Sequence, residues 1–287
     1  MTVLKLLVAT LLFAMGLLAS HRELGYLWAS PVLLARSLVA MYVAVPALAV
    51  VLAMTLGLPR GTEIAIVVLA ICAGAPLLPR KLIEVGGDPA YVLSLAVTTS
   101  LLAVVTVPLS LRILSGLITV DSELGGGEVA GAILRTFLAP LGTGMLVRAV
   151  APSAAARVAE PLLGMASTAL AATTIILIVG GWRLVAAVGL PSLMAFAAFA
   201  LGSVTIGHLL GGPVPENRTA LALACTTRHV GLALIVGANA RGQAPLTLVA
   251  GYLVATAMVS IPYMRWRSKS HGATARAATG GSGIQTL

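Results

Sequence analysis

Along most of the chain, apolar residues run in blocks separated by short breaks that hold most of the charged positions. A block of roughly 20 apolar residues spans the hydrocarbon core of a bilayer as an α-helix. About nine such spans are predicted, from apolar windows of that length. They are Val3–Ala19, Ala29–Leu56, Thr62–Leu77, Ala90–Leu117, Glu128–Val150, Val158–Gly180, Leu184–Leu210, Asn217–Asn239 and Ala244–Met264. The segment from Trp266 to Leu287 is polar, small and Gly/Ser-rich, which predicts a disordered tail. The expected fold class is therefore all-α transmembrane.

Composition supports that pattern. Hydrophobic residues make up 59% of the chain and charged residues only 9%, against about 25% charged in a soluble domain. The 30 glycines and 15 prolines suit membrane helices whose freed backbone groups find partners inside a bundle. A net charge of +9 would suggest nucleic acid in a soluble protein. Spread over short loops, it reads instead as membrane orientation. Arg22, Arg80, Lys81, Arg148, Arg157 and Arg218, with Arg265, Arg267, Lys269 and Arg276 of the tail, fall on one side; Arg60, Arg183 and Arg241 fall on the other. The positive-inside rule then places the N-terminus outside, the C-terminus in the cytosol and the protein in the plasma (inner) membrane. Lys5 followed by Leu6–Ala19 also fits the layout of a signal peptide.

Candidate chemistry concentrates at two interruptions. The third span is broken by Pro76 and Pro79, and the eighth carries Cys225-Thr226-Thr227-Arg228-His229 in its middle. Paired broken segments in two halves point to an inverted-repeat transporter site. Every acidic residue lies in or beside a predicted connection, so no mid-span carboxylate offers a cation ligand or proton relay. Cys72 and Cys225 have no metal-site spacing. No Walker loop or dinucleotide fingerprint is present. No buried carboxylate is available to orient a catalytic histidine, so the chain is expected not to be an enzyme and to need no cofactor.

Four stretches resemble the bile acid:sodium symporter superfamily. They are Leu12-Phe13-Ala14-Met15-Gly16-Leu17; Leu56-Gly57-Leu58-Pro59 with Ala70-Ile71-Cys72-Ala73-Gly74-Ala75-Pro76; Gly87-Asp88-Pro89 through Thr98; and Arg228-His229-Val230-Gly231-Leu232-Ala233-Leu234. The resemblance starts at the family's second span, which implies a chain without the first helix and a retained Met1–Ala19 segment. It also implies a panel domain (about 1–28 and 128–183) and a core domain (about 29–127 and 184–265). Spans three and eight would cross at mid-membrane. Organic anions would be the solutes, commonly moved with sodium.

The resemblance places Ser94 and Thr98 at two oxygen positions of a sodium site. The family's other ligands are replaced: a Ser-Asn pair by Leu78-Pro79, a glutamate by Ala224, a glutamine by Arg228 and an asparagine by His229. Sodium coupling is therefore doubtful. Arginine keeps its proton, and Arg228 lies roughly 16 Å from either end of its span by helix rise. Either its guanidinium stands where sodium would sit and grips a solute carboxylate, or it is a structural plug on backbone carbonyls. His229 is the candidate for proton coupling. Thr226 and Thr227 either satisfy freed backbone groups or touch solute. The expected function is secondary transport of small organic anions. The alternatives are a metalloid exporter using Cys72, as in similar arsenite exporters, or a non-transporting sensor. Lipid or a second protomer would cover the panel face, and nucleic acid is not expected as a partner.

Overall fold

In a bilayer, each backbone N–H and C=O must be satisfied within its own segment or inside the bundle, which leaves helices as the way to cross. The computed structural model describes residues 2–19, 21–73, 83, 85–114, 131, 134–180, 182–228 and 245–280. Among these residues every regular element is helical. In chain order they are α1 (Thr2–Leu18), α2 (His21–Trp28), α3 (Pro31–Thr55), α4 (Arg60–Ile71), α5 (Pro89–Leu114) and α6 (Ala139–Val150). There follow α7 (Pro152–Gly180), α8 (Trp182–Ala187), α9 (Leu190–Leu210), α10 (Pro215–Thr226) and α11 (Pro245–Gly280). Among the described residues, α3, α9 and the Thr247–Ser270 part of α11 are long and apolar enough to cross a membrane.

Local chemistry fixes several boundaries. Proline stands in the first turn of α3, α9 and α10, where its missing N–H has no helical partner to lose. The Asp88 carboxylate accepts the Tyr91 N–H at 2.7 Å and caps α5. A π-helical turn, Ala40–Ala44, interrupts α3 two residues before Pro46, and a second, Leu134–Leu138, leads into α6 two residues before Pro140. The wider turn accommodates the proline ring without breaking the helix.

Close helix crossings depend on small residues. α1 packs on α6 and α7. Gly16 and Gly144 face each other there: a Cβ on Gly16 would overlap the Leu141 carbonyl, and one on Gly144 the Phe13 carbonyl. In a second group, α9 packs on α3, α10 and α11. Gly207 lies against Ala222 and Gly211 against Arg218, so no side chain separates the α9 and α10 backbones. Contacts this close are a main attractive force in lipid, where apolar burial between helices gains little. Thr62 Oγ1 and Ser192 Oγ, 2.7 Å apart, tie α4 to α9.

Three elements differ from the sequence expectation. The link after the first span is itself helical, as α2, and packs on α5. The seventh span breaks at Gly189, whose φ of 81° ends α8 and allows α9 to restart. The tail expected to be disordered from Trp266 is helical to Gly280, because α11 continues unbroken. It is anchored where Arg267 donates from Nε to Thr219 Oγ1 at 2.7 Å and from Nη2 to the Pro215 carbonyl at 2.9 Å. Residues 281–287, and the end of the third span with Pro76 and Pro79, lie outside the described residues.

Gly144→Ala is expected to force α1 and α6 apart and destabilise the protein by about 1–3 kcal/mol. Gly142→Ala, where nothing lies within 4 Å, should be neutral. Thermal unfolding of both variants in detergent checks this.

Candidate functional site

The site begins with two helices of the same length that both stop short. α4 and α10 each run 12 residues and end at Ile71 and Thr226, with the free thiols Cys72 and Cys225 at those ends. Both thiols are fully buried, and both are within electrostatic reach of Arg228. The two thiols therefore mark two helix ends within electrostatic range of one guanidinium. Both are C-terminal ends, whose partial negative charge favours a cation.

Arg228 lies two residues beyond the last residue of α10 and is 1% exposed. Thr227 turns the chain out of the helix with φ −84° and ψ 106°. The Arg228 backbone N–H donates to the Tyr252 hydroxyl at 3.1 Å, and that hydroxyl donates to the Thr226 carbonyl at 2.5 Å. One tyrosine of α11 thus satisfies backbone groups freed at the end of α10, a need that any helix break held inside a membrane bundle creates.

Among the described residues, the guanidinium has one hydrogen bond, from Nη1 to the Met41 carbonyl at 3.3 Å. The π-turn explains why that carbonyl is available. The Val45 N–H, the ordinary helical partner of the Met41 carbonyl, bonds the Ala40 carbonyl instead. The next residue, Pro46, has no N–H to offer. Met41 therefore keeps a free acceptor inside the membrane. Among the described residues, Nε and Nη2 of Arg228 have no hydrogen-bond partner. A buried donor left in this way costs about 1–3 kcal/mol, and more when charged.

The other candidates are placed as follows. The Thr226 hydroxyl donates to the Ala222 carbonyl at 2.8 Å and Thr227 to the Leu223 carbonyl at 2.7 Å, both within their own helix. Ser94 is buried on α5, where its Oγ accepts the Leu27 N–H of α2 at 3.1 Å. Thr98, one turn further along α5, is 2% exposed. His229, Gly231, Pro76 and Pro79 lie outside the described residues. Arg36 and Arg135 are exposed. His208 pairs through Nδ1 with the Tyr263 hydroxyl at 2.9 Å and lies beside Trp266. Sequence reasoning missed Met41 and Tyr252. Pro46 inside an apolar span signalled the first, and a mid-span tyrosine, whose hydroxyl needs a partner, signalled the second.

Tyr252→Phe should orphan the Arg228 N–H and the Thr226 carbonyl, at about 1–3 kcal/mol per group. A lower thermal midpoint than that of the wild-type protein is the expected result.

Comparison with curated proteins gives no significant match. Residues 5–188 match the Sodium Bile acid symporter family. The matched region takes in α2 to α8 whole and most of α1. α9, α10 and α11 follow it. Members of this family are membrane transporters rather than enzymes, in keeping with the apolar helices described above. A match over more than half of the chain, on a helical membrane fold, shows that this protein belongs to the sodium bile acid symporter family.

Proposed function

We propose that the protein is a secondary transporter of small organic anions, with Arg228 as the group that recognises a solute carboxylate. The observation that carries this reading is the pair of unpartnered donors, Nε and Nη2, on a guanidinium that is 1% exposed. These two nitrogens form one edge of the guanidinium fork, and a carboxylate accepts two parallel hydrogen bonds from such an edge. Nη1 is meanwhile held by Met41, which fixes the fork's orientation.

Sodium coupling is weak or absent on this reading. A permanent cation already sits on the Met41 carbonyl, within electrostatic range of both thiols, and a second cation there would be repelled. The transport cycle is alternating access. A core of α3, α4, α5, α9, α10 and α11 rocks against a panel containing α1, α6 and α7. The packing of α1 on α6 and α7, and of α9 on α3, α10 and α11, supports that division. The protein is assigned to the plasma membrane with its C-terminus in the cytosol, on the charge bias of its loops.

A metalloid-exporting reading has one observation in its favour, the two buried thiols beside Arg228. Cys72→Ser should abolish arsenite resistance in cells if that reading holds, and should leave resistance unchanged if the solute is a carboxylate.

The anion reading is tested by titrating purified protein with a panel of keto acids and other carboxylates, with and without sodium. Arg228→Gln is expected to weaken carboxylate binding by about 100-fold, from the loss of two charge-assisted hydrogen bonds. Arg228→Lys should recover little of it, because an ammonium lacks the fork. Sodium should leave the affinity unchanged. A wild-type affinity that rises strongly with sodium, or that Arg228→Gln leaves intact, would overturn the reading.

A further inference from the structure

Five polar side chains of α11 fall on one stripe. Tyr252, Thr256, Ser260, Tyr263 and Arg267 are spaced by four, four, three and four residues. At 3.6 residues per turn they lie within a sector of about 80°, over a rise of about 22 Å. The stripe begins at the hydroxyl that holds the Arg228 N–H and ends at the side chain that holds the first turn of α10. Met258 and Ile261, on the other side of the same helix, are 61% and 43% exposed and face outward.

α11 packs on α9, α8, α4, α10 and α7, and the contacts made by the stripe itself include side chains of α9 and α10. α9 brings Phe199 against Tyr252, with ring centroids 6.4 Å apart. One turn later on that face comes Ser203, and another turn on comes Gly207, which lies against α10. Among the described residues, the buried side-chain oxygens with no hydrogen-bond partner are Ser203 Oγ, Asn217 Oδ1, Thr256 Oγ1 and Ser260 Oγ. All four belong to α9, α10 or α11. The Thr256 hydroxyl lies beside that of Tyr252 but outside hydrogen-bond geometry. At the far end, Tyr263 meets His208 at 2.9 Å, and Thr219 meets Arg267 at 2.7 Å.

Orphaned oxygens scattered through a core would suggest unrelated packing faults. Here three of them, Ser203, Thr256 and Ser260, lie where α9 and α11 face each other, in a seam that runs from the end of α10 beside Arg228 to Arg267. Buried polar groups in such a row are satisfied by ordered water, which needs two to four polar partners per molecule. We propose that a file of water runs along the seam of α9, α10 and α11, from Arg228 past Tyr252, Thr256 and Ser260 to His208 and Arg267. This file solvates the guanidinium from one face of the membrane. It lies wholly in the part of the chain that follows the family match, and it does not depend on the identity of the solute.

Radiolytic footprinting tests the file on the native chain, because hydroxyl radicals formed from water oxidise the side chains next to it. Tyr252 and Tyr91 are both buried, at 1% and 0% exposure. Tyr91 lies off the seam, where its hydroxyl is 2.7 Å from that of Ser37. Tyr252 is expected to oxidise several-fold faster than Tyr91. The double variant Thr256→Val, Ser260→Ala should bring Tyr252 down towards the Tyr91 rate. If that variant cannot be purified, Ser260→Ala alone should slow Tyr252 in the same direction. Equal rates in the native protein would mean a dry seam and overturn the proposal. So would a fast Tyr252 that the substitutions leave unchanged, since its water would then arrive by another route. No solute is added, so the result is separable from the outcome of the carboxylate titration.

Discussion

The structure is organised around one charge that it has to hold far from bulk water. Arg228 lies two residues past the end of α10 and within electrostatic range of the α4 end, and the protein accommodates it in three ways. Two helix C-termini supply partial negative charge. The π-turn of α3, with Pro46 behind it, releases the Met41 carbonyl. Tyr252 ties off the backbone where α10 ends. An arginine at the centre of a membrane helix costs about 3 kcal/mol on insertion scales. Local compensation of this kind makes the position tolerable where, among the described residues, no acidic side chain pairs with it. The two nitrogens it leaves over are the part available for function.

The surrounding architecture serves that arrangement through close approach rather than apolar burial. Glycines at Gly207 and Gly211 let α9 lie directly on α10, and polar ties do the rest. Thr62 and Ser192 join α4 to α9, while Leu27 and Ser94 join α2 to α5. Hydroxyls in lipid have few other partners, so each such pair fixes a relative position that packing alone would leave loose.

Much of this could be read from the chain before its structure. The apolar blocks gave the helices, since a span of roughly 20 apolar residues has few alternatives in a bilayer. The four motif stretches together pointed to the family, and the break in the eighth span drew attention to Arg228. Other features were hidden for physical reasons. Hydropathy windows average over single residues, so the break at Gly189 vanished inside one apolar run. The helix beyond Trp266 depends on Arg267 reaching Pro215 and Thr219, a contact between positions about 50 residues apart that no local pattern records. The Met41 carbonyl is a backbone group, and sequence carries no letter for it; only Pro46 hinted at its release. Ser94 and Thr98 were read as cation-site oxygens by resemblance. The described contact of Ser94 is with the α2 backbone.

α10 is tied to α11 at both of its ends. Tyr252 grips the Thr226 carbonyl, and Arg267 grips Pro215 and Thr219. A rod fastened at two points to a longer rod cannot tilt by itself. Any tilt of α10 would therefore carry α11 with it, and the displacement would be largest at the distant Gly280 end.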